Sequence, residues 1–349
     1  MSYASPFIAA TFTIMTGFLL FSALGMDPLV AFYTFFLAPI NSLNGLAELF
    51  LKASPLVLIA LGLAAGFRAN VWNIGAEGQL TIGAIACSGL ALHYYSSESH
   101  LLLPMMIVAG ALGGIAWAAI PALLRTRFNA NEILVSLMLT YVAQLLLSYL
   151  VHDPWRDPQG FNFPQSQLFP DAALFPILVE GTRLNASVLM SLAAIAAGWV
   201  FINKSFLGYQ MRVAGLAEGA ARYAGFSAKR TIWIGMLAGG AAAGLAGVGE
   251  VAGPLGQLLP TVSPGYGFAA IIVAFVGRLD PVGILLAGLL MSLLYLGGDA
   301  AQIGMNLPAA VSGLFQGTLL FFLADADVFI TYRIRVIRGV RTQPQEIAV

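Results

Sequence analysis

The chain has 349 residues, 59% of them apolar and only 9% charged, and its sixteen basic residues balance sixteen acidic ones. A soluble domain carries about a quarter charged residues, so this chain lacks the polar surface to cover itself in water, and lipid must solvate most of it. Zero net charge argues against a nucleic-acid partner, whose phosphates need a basic surface. A bilayer crossing takes about 20 mainly apolar residues. Such runs predict an all-α, polytopic transmembrane helical bundle of about ten spans: 6–24, 53–66, 79–95, 104–124, 132–151, 186–202, 231–252, 266–277, 281–298 and 306–323. The first run has no basic n-region or small-residue cleavage site, so it reads as a retained span. The runs 53–66, 79–95 and 266–277 are short and point to broken or re-entrant segments. The Pro-bounded stretch 28–39 is shorter still and reads as an interfacial or re-entrant piece.

Basic residues set the orientation. With the N-terminus cytoplasmic, ten crossings return the C-terminus to the cytoplasm. Thirteen of the sixteen Lys and Arg residues then fall inside, and Lys52, Arg156 and Arg183 fall outside. Two connections are long. The outer one, about 152–185, is rich in Pro, Asp and Phe; it reads equally as a plain loop or as a docking surface for an extracytoplasmic partner. The inner one, about 203–230, carries Lys204, Arg212, Arg222, Lys229 and Arg230. The basic tail 333–349 reads as a cytoplasmic headgroup anchor.

Chemistry of the enzymatic kind has no foothold. There is no GxxxxGK[ST] loop to cradle ATP, no HExxH and no Cys/His cluster, and His93, His100 and His152 fall near expected span ends. The lone Cys87 lies in an apolar run and reads as a small buried hydrophobe. Glycine is frequent, 38 residues, and the run 231–252 holds GxxxG pairs at Gly235/Gly239, Gly240/Gly244 and Gly249/Gly253. Small residues at this spacing let helices approach closely in lipid.

Transport sites are often built where helices break in corresponding positions of two halves. Two such places occur: Asn73 to Gln79 (NIGAEGQ), just before a short apolar run, and Pro260 to Gly267 (PTVSPGYG), just before another. Asn73, Glu77 and Gln79 are therefore candidate path or gate residues. Asn131, Glu132, Ser136 and Thr140 start the fifth span, the last three as a stripe on one helix face. Glu132 reads either as a path residue or as a simple complement to a helix N-terminus. Glu250 sits about five turns beyond Lys229 and Arg230, where a carboxylate must face the bundle or water. In the inner connection, Val213, Leu216, Ala217, Ala220, Ala221 and Ala224 fit one helical face, with Glu218 and Arg222 paired at i, i+4 on the other. An Ala-rich face with few bulky anchors favours docking into another protein over lying on headgroups.

Three strings carry a family resemblance: ANVWNIGAEGQLTIGAIA from Ala69, NANEILVSLMLTYVA from Asn129 and GYQMRVAGLAEGAARYAGFSAKRT from Gly208. Together they resemble the permeases of ABC importers, in the branch shared by branched-chain amino-acid, simple-sugar and nucleoside systems, and NIGAEGQ resembles the nucleoside sub-branch. The similarity runs from about Ala53 to Phe322. It implies one transmembrane permease domain, 1–349, in a bacterial cytoplasmic membrane, forming a path for a nucleoside-like solute by alternating access. It implies that the chain binds no cofactor itself, with ATP and Mg on a separate ATP-binding-cassette ATPase. It further implies a second homologous permease, as a heterodimer, and an extracytoplasmic solute-binding protein of the basic-membrane-protein type. The loop helix at 215–225 would be the coupling helix seated on the ATPase. Gly215, Ala220, Ala221, Tyr223 and Gly225 fit the family pattern, while Ala217 and Glu218 stand where it has Asn-Pro. A pentose or other simple sugar is the alternative solute, and an ion-coupled secondary transporter the alternative of another class.

Overall fold

The computed structural model describes residues 5–306 and isolated positions between 308 and 322. The architecture is helical; among the described residues the only strand-like pairing is an isolated bridge between Ile177 and Asn185. The helices are α1 (Ser5–Ala23), α2 (Pro28–Phe32), α3 (Leu43–Arg68), α4 (Ala76–His93), α5 (Leu102–Phe128), α6 (Glu132–His152), α7 (Ser187–Lys204), α8 (Phe206–Leu216), α9 (Glu218–Tyr223), α10 (Ala228–Glu250), α11 (Tyr266–Val276) and α12 (Pro281–Met305).

Among the described residues six helices, α3, α5, α6, α7, α10 with the π turn that extends it to Leu255, and α12, are long and apolar enough to cross a bilayer. The expected run 53–66 is part of a much longer helix. Glu48 and Lys52 interrupt its hydropathy, yet Ser42 caps the helix ten residues upstream of Lys52 by accepting from the Gly45 amide at 3.0 Å. The runs 79–95 and 266–277 stay short, as α4 and α11. The expected span 306–323 and the basic tail 333–349 lie largely or wholly outside the described residues. The segment after α1 re-enters the protein: Ala31 and Phe35 are buried, and the Phe35 carbonyl lies against Gly297 of α12.

α10 is the hub, and its small residues make it so. Gly235 and Gly239 face Gly66 and Leu63 of α3, while Gly240 and Gly244 sit against the backbone of Gly114 and Gly110 on α5. Gly83 of α4 meets Gly244, and Gly247 meets the Leu80 carbonyl of α4. A methyl group at any of these contacts would strike backbone or a fixed side chain, so the glycines set the interhelical distance. The third GxxxG pair does something else. Gly249 only touches Ser187 and Met190, and Gly253 sits in the kink beside the Asn185 side chain.

Burial grades outward. α3 and α10 are enclosed, whereas α5, α6 and α7 bury about a quarter of their apolar windows and turn residues such as Leu112, Met138 and Leu145 outward. Exposed leucines around a helical rim are what a lipid-facing surface requires.

Candidate functional site

The two helix breaks singled out by sequence meet each other. α3 ends at Arg68, Asn70 turns the chain in a left-handed conformation, and residues 71–75 run back along α3 before α4 begins. Non-helical backbone inside a membrane protein must be enclosed and satisfied. Here Asn73 does both. Its amide pairs reciprocally with Gln79, each donating to the other at 2.9 Å, and its Oδ1 also accepts from the Gly75 amide at 3.1 Å. Ser136 of α6 accepts from the Ile74 amide at 3.3 Å, and Gly75 and Gly78 pack on Ser136 and Thr140. Asn73, Glu77, Gln79, Ser136 and Thr140 are all buried.

Glu77 bridges to the second break. Its carboxylate accepts from the Gly267 amide at 2.6 Å. Ser263 accepts from the Gly265 and Tyr266 amides at 3.1 and 2.8 Å, capping α11. A carboxylate on the free amides of a helix N-terminus is the electrostatically favoured arrangement. Gly267 is required by the close approach: a Cβ there would overlap the Glu77 backbone. Asn73 lies beside Gly239, eleven residues (239 − 228) along α10 from Ala228. At the helical rise this is about 16 Å, half of the roughly 30 Å hydrocarbon layer.

Above this junction, on the side away from Lys229 and Arg230, lies a cavity of about 340 Å³ lined by Glu48, Lys52, Arg183, Glu250, Thr261, Ser263 and Tyr266 among others. Glu48 and Lys52, one turn apart on α3, reach in two directions. Arg183 donates through Nε and Nη2 to the two carboxylate oxygens of Glu48, at 2.7 and 2.8 Å, and Lys52 contacts Asp299 of α12 at 2.6 Å. The bond to Glu48 pushes the Arg183 pKa further above its ordinary value. Ser263 and Tyr266 belong to both the cavity floor and the start of α11, and Tyr266 meets Tyr295 edge-on at 5.9 Å between ring centres.

The other sequence-singled residues lie elsewhere. Asn131 caps α6, accepting from the Ile133 and Leu134 amides at 2.9 and 3.3 Å, and Glu132 pairs with Arg125 of α5. Both stand at the basic end, remote from the cavity around Glu250. Glu48, Lys52, Arg183, Tyr295 and Asp299 were not legible as site residues. Glu48 and Lys52 did leave a signal, opposite charges at i, i+4 ahead of an apolar run, but Arg183 and Asp299 reach the site only through tertiary folding.

At the basic end the inner connection forms two helices, where one helical face had been expected. Ala217 adopts an extended conformation between α8 and α9. Gly215 lets α8 rest on the Arg68 carbonyl, and Gly225 closes α9 with a positive φ of 78°. Glu218 and Arg222 pair at 3.0 Å. Leu216, Ala220 and Tyr223 are exposed, Tyr223 at 97%, while Ala221 is turned inward. Arg68 donates through Nε and Nη2 to the Leu279 carbonyl at 3.1 and 2.9 Å, tying α3 to the turn before α12.

The arrangement holds no nucleophile–base pair; it is a polar vestibule above two converging helix N-termini, with an exposed apolar tip at the opposite end. Comparison with known proteins agrees with that reading. The family profile described as "Branched-chain amino acid transport system / permease component" matches residues 45–324. The glucose ABC transporter permease protein TsgB13 of Haloferax volcanii is 37% identical over 96% of this chain and 90% of its own length. The guanosine ABC transporter permease protein NupP of Bacillus subtilis is 29% identical over 96% and 95%. The nucleoside ABC transporter permease protein NupB of Lactococcus lactis is 28% identical over 91% and 90%. No solved structure matches the chain. The chain therefore belongs to the permease-component family of the branched-chain amino acid transport systems.

Proposed function

We propose that this chain forms one half of the translocation path of an ABC importer for a nucleoside-like solute, in the cytoplasmic membrane with both termini inside. The observation that carries this reading is the meeting of two helix breaks at Glu77 and Gly267, about halfway along α10 and directly beneath a polar cavity. Irregular backbone held at that depth is the material of transport sites. The relatives named for guanosine and nucleoside transport support the solute class. The glucose-named relative, the most similar in sequence of the three, supports a simple sugar as the second reading.

Alternating access follows from the packing. ATP binding on a separate ATPase would move α8 and α9, which Gly215 couples to the end of α3. α3 carries Glu48 and Lys52 at its other end, so a shift of this one helix reaches both sides. A ligand moves such an equilibrium only by its differential affinity for the two states. In this reading Glu77, Asn73 and Gln79 hold the gate, Ser136 braces it, Glu250 faces solute, and Asn131 and Glu132 fix the inner mouth. Gly215, Glu218, Ala220, Ala221, Arg222, Tyr223 and Gly225 shape the ATPase contact, with Ala221 and the glycines positioning and Ala220 and Tyr223 touching. A second, related permease completes the path, and an extracytoplasmic solute-binding protein delivers to the cavity side. Purifying the tagged chain from its native membrane tests the assembly. A stoichiometric ATP-binding subunit and a second permease chain are expected; a chain that purifies alone and still moves solute across liposomes would overturn the reading.

A further inference from the structure

The cavity above the junction is lined by two carboxylates, Glu48 and Glu250, and two cations, Lys52 and Arg183, and the ion pairs leave Glu250 over. Arg183 is committed to Glu48, and Lys52 to Asp299. Glu250 is 9% exposed, lines the cavity, and has no hydrogen bond or ion pair to its carboxylate among the described residues. A buried carboxylate is costly unless something donates to it, and in a membrane protein such a group marks a functional site. Glu250 stands at the last residue of α10, directly before the π turn and the Gly253 kink, so its position is fixed by the hub helix and not by a loop.

A solute cation is a poor match, because Lys52 and Arg183 border the same space. A neutral group with two adjacent O–H donors is a good one. A carboxyl group presents two oxygens side by side, and the same pairing holds ribose hydroxyls in dinucleotide sites. The cavity volume, about 340 Å³, is at the small end of ligand pockets. Thr261, Ser263 and Tyr266 also line it.

We propose that Glu250 is the specificity-determining residue that reads a vicinal diol on the transported solute, accepting a hydrogen bond from each hydroxyl. This rests on the permease reading above. The diol is common to the ribose of a nucleoside and to a free hexose ring, and the probes separate the two sources. The experiment is equilibrium binding to the purified complex of this chain with its ATPase and partner permease, without the solute-binding protein. One arm compares guanosine with 2′-deoxyguanosine, the other glucose with its 2-deoxy and 3-deoxy forms. In the wild type, removing one hydroxyl of the recognised pair weakens binding by about tenfold, the worth of one hydrogen bond. Glu250→Gln brings parent and deoxy affinities together, while Glu250→Asp, which keeps the carboxylate, retains part of the difference.

Undiminished discrimination in Glu250→Gln overturns the diol assignment and leaves the permease reading standing. Tighter binding of glucosamine than glucose, abolished in Glu250→Gln, also overturns it, in favour of a cation site. A wild-type complex that binds neither guanosine nor glucose overturns the solute class itself, and the diol assignment with it.

Discussion

Asn73 and Gln79 hold a stretch of chain that no helix holds. Each satisfies the other's amide, so loss of one leaves a buried polar group without a partner, at a cost of about 1–3 kcal/mol. Asn73→Ala and Gln79→Ala are each expected to destabilise the detergent-solubilised protein, and the double variant to cost less than the sum, as thermal unfolding of all four proteins would reveal. Glu77→Ala removes a charge-assisted bond to the start of α11. It is expected to cost about 2 kcal/mol and to cut uptake while leaving assembly with the ATPase intact; unchanged uptake would remove Glu77 from the gate. These residues were legible because Asn, Glu and Gln interleaved with Gly before a short apolar run have few other uses in lipid. Their partners were not. That Glu77 reaches Gly267, 190 positions away, is a property of the packed bundle.

At the scale of elements, sequence patterns located helices well and their purposes less well. Hydropathy placed α5, α6, α7 and α10 closely, because no charge interrupts their apolar runs. It truncated α3, whose first turns carry charges that are paired across the cavity mouth. The GxxxG pairs foretold two seams of α10, and Gly240→Leu is expected to prevent folding. Its side chain would meet the Gly114 carbonyl and Ala118 on α5, an overpacking that costs several kcal/mol when backbone cannot move. Loss of monodisperse protein on size-exclusion chromatography would record it. Of the face expected from periodicity in the inner connection, Leu216, Ala217, Ala220 and Ala224 are exposed and Ala221 is buried. With Ala221 turned inward, Tyr223→Asp and Ala220→Glu are the substitutions expected to lower solute-stimulated ATP hydrolysis without loss of protein, and normal hydrolysis in both would remove α9 from the ATPase contact.

For the whole molecule, the basic bias sets an orientation that labelling can check. Cys87 is the single cysteine and is buried, so Cys87→Ser gives a background free of thiols. On it, Phe161→Cys, at a position 94% exposed in the connection after α6, is expected to react with an impermeant maleimide in intact cells. Phe128→Cys, 74% exposed at the basic end of α5, is expected to react only after the membrane is opened. The reverse pattern would invert the molecule and place the Glu250 cavity on the cytoplasmic side.

In the proposed reading this chain moves solute only as part of an ATP-driven machine. It is tested most directly by uptake of radiolabelled guanosine, and separately of glucose, into proteoliposomes holding the purified complex, with the solute-binding protein outside and ATP sealed inside. Uptake that requires internal ATP and vanishes when the ATPase subunit is omitted is the predicted result. Uptake by this chain alone, driven by an ion gradient and indifferent to ATP, would contradict it.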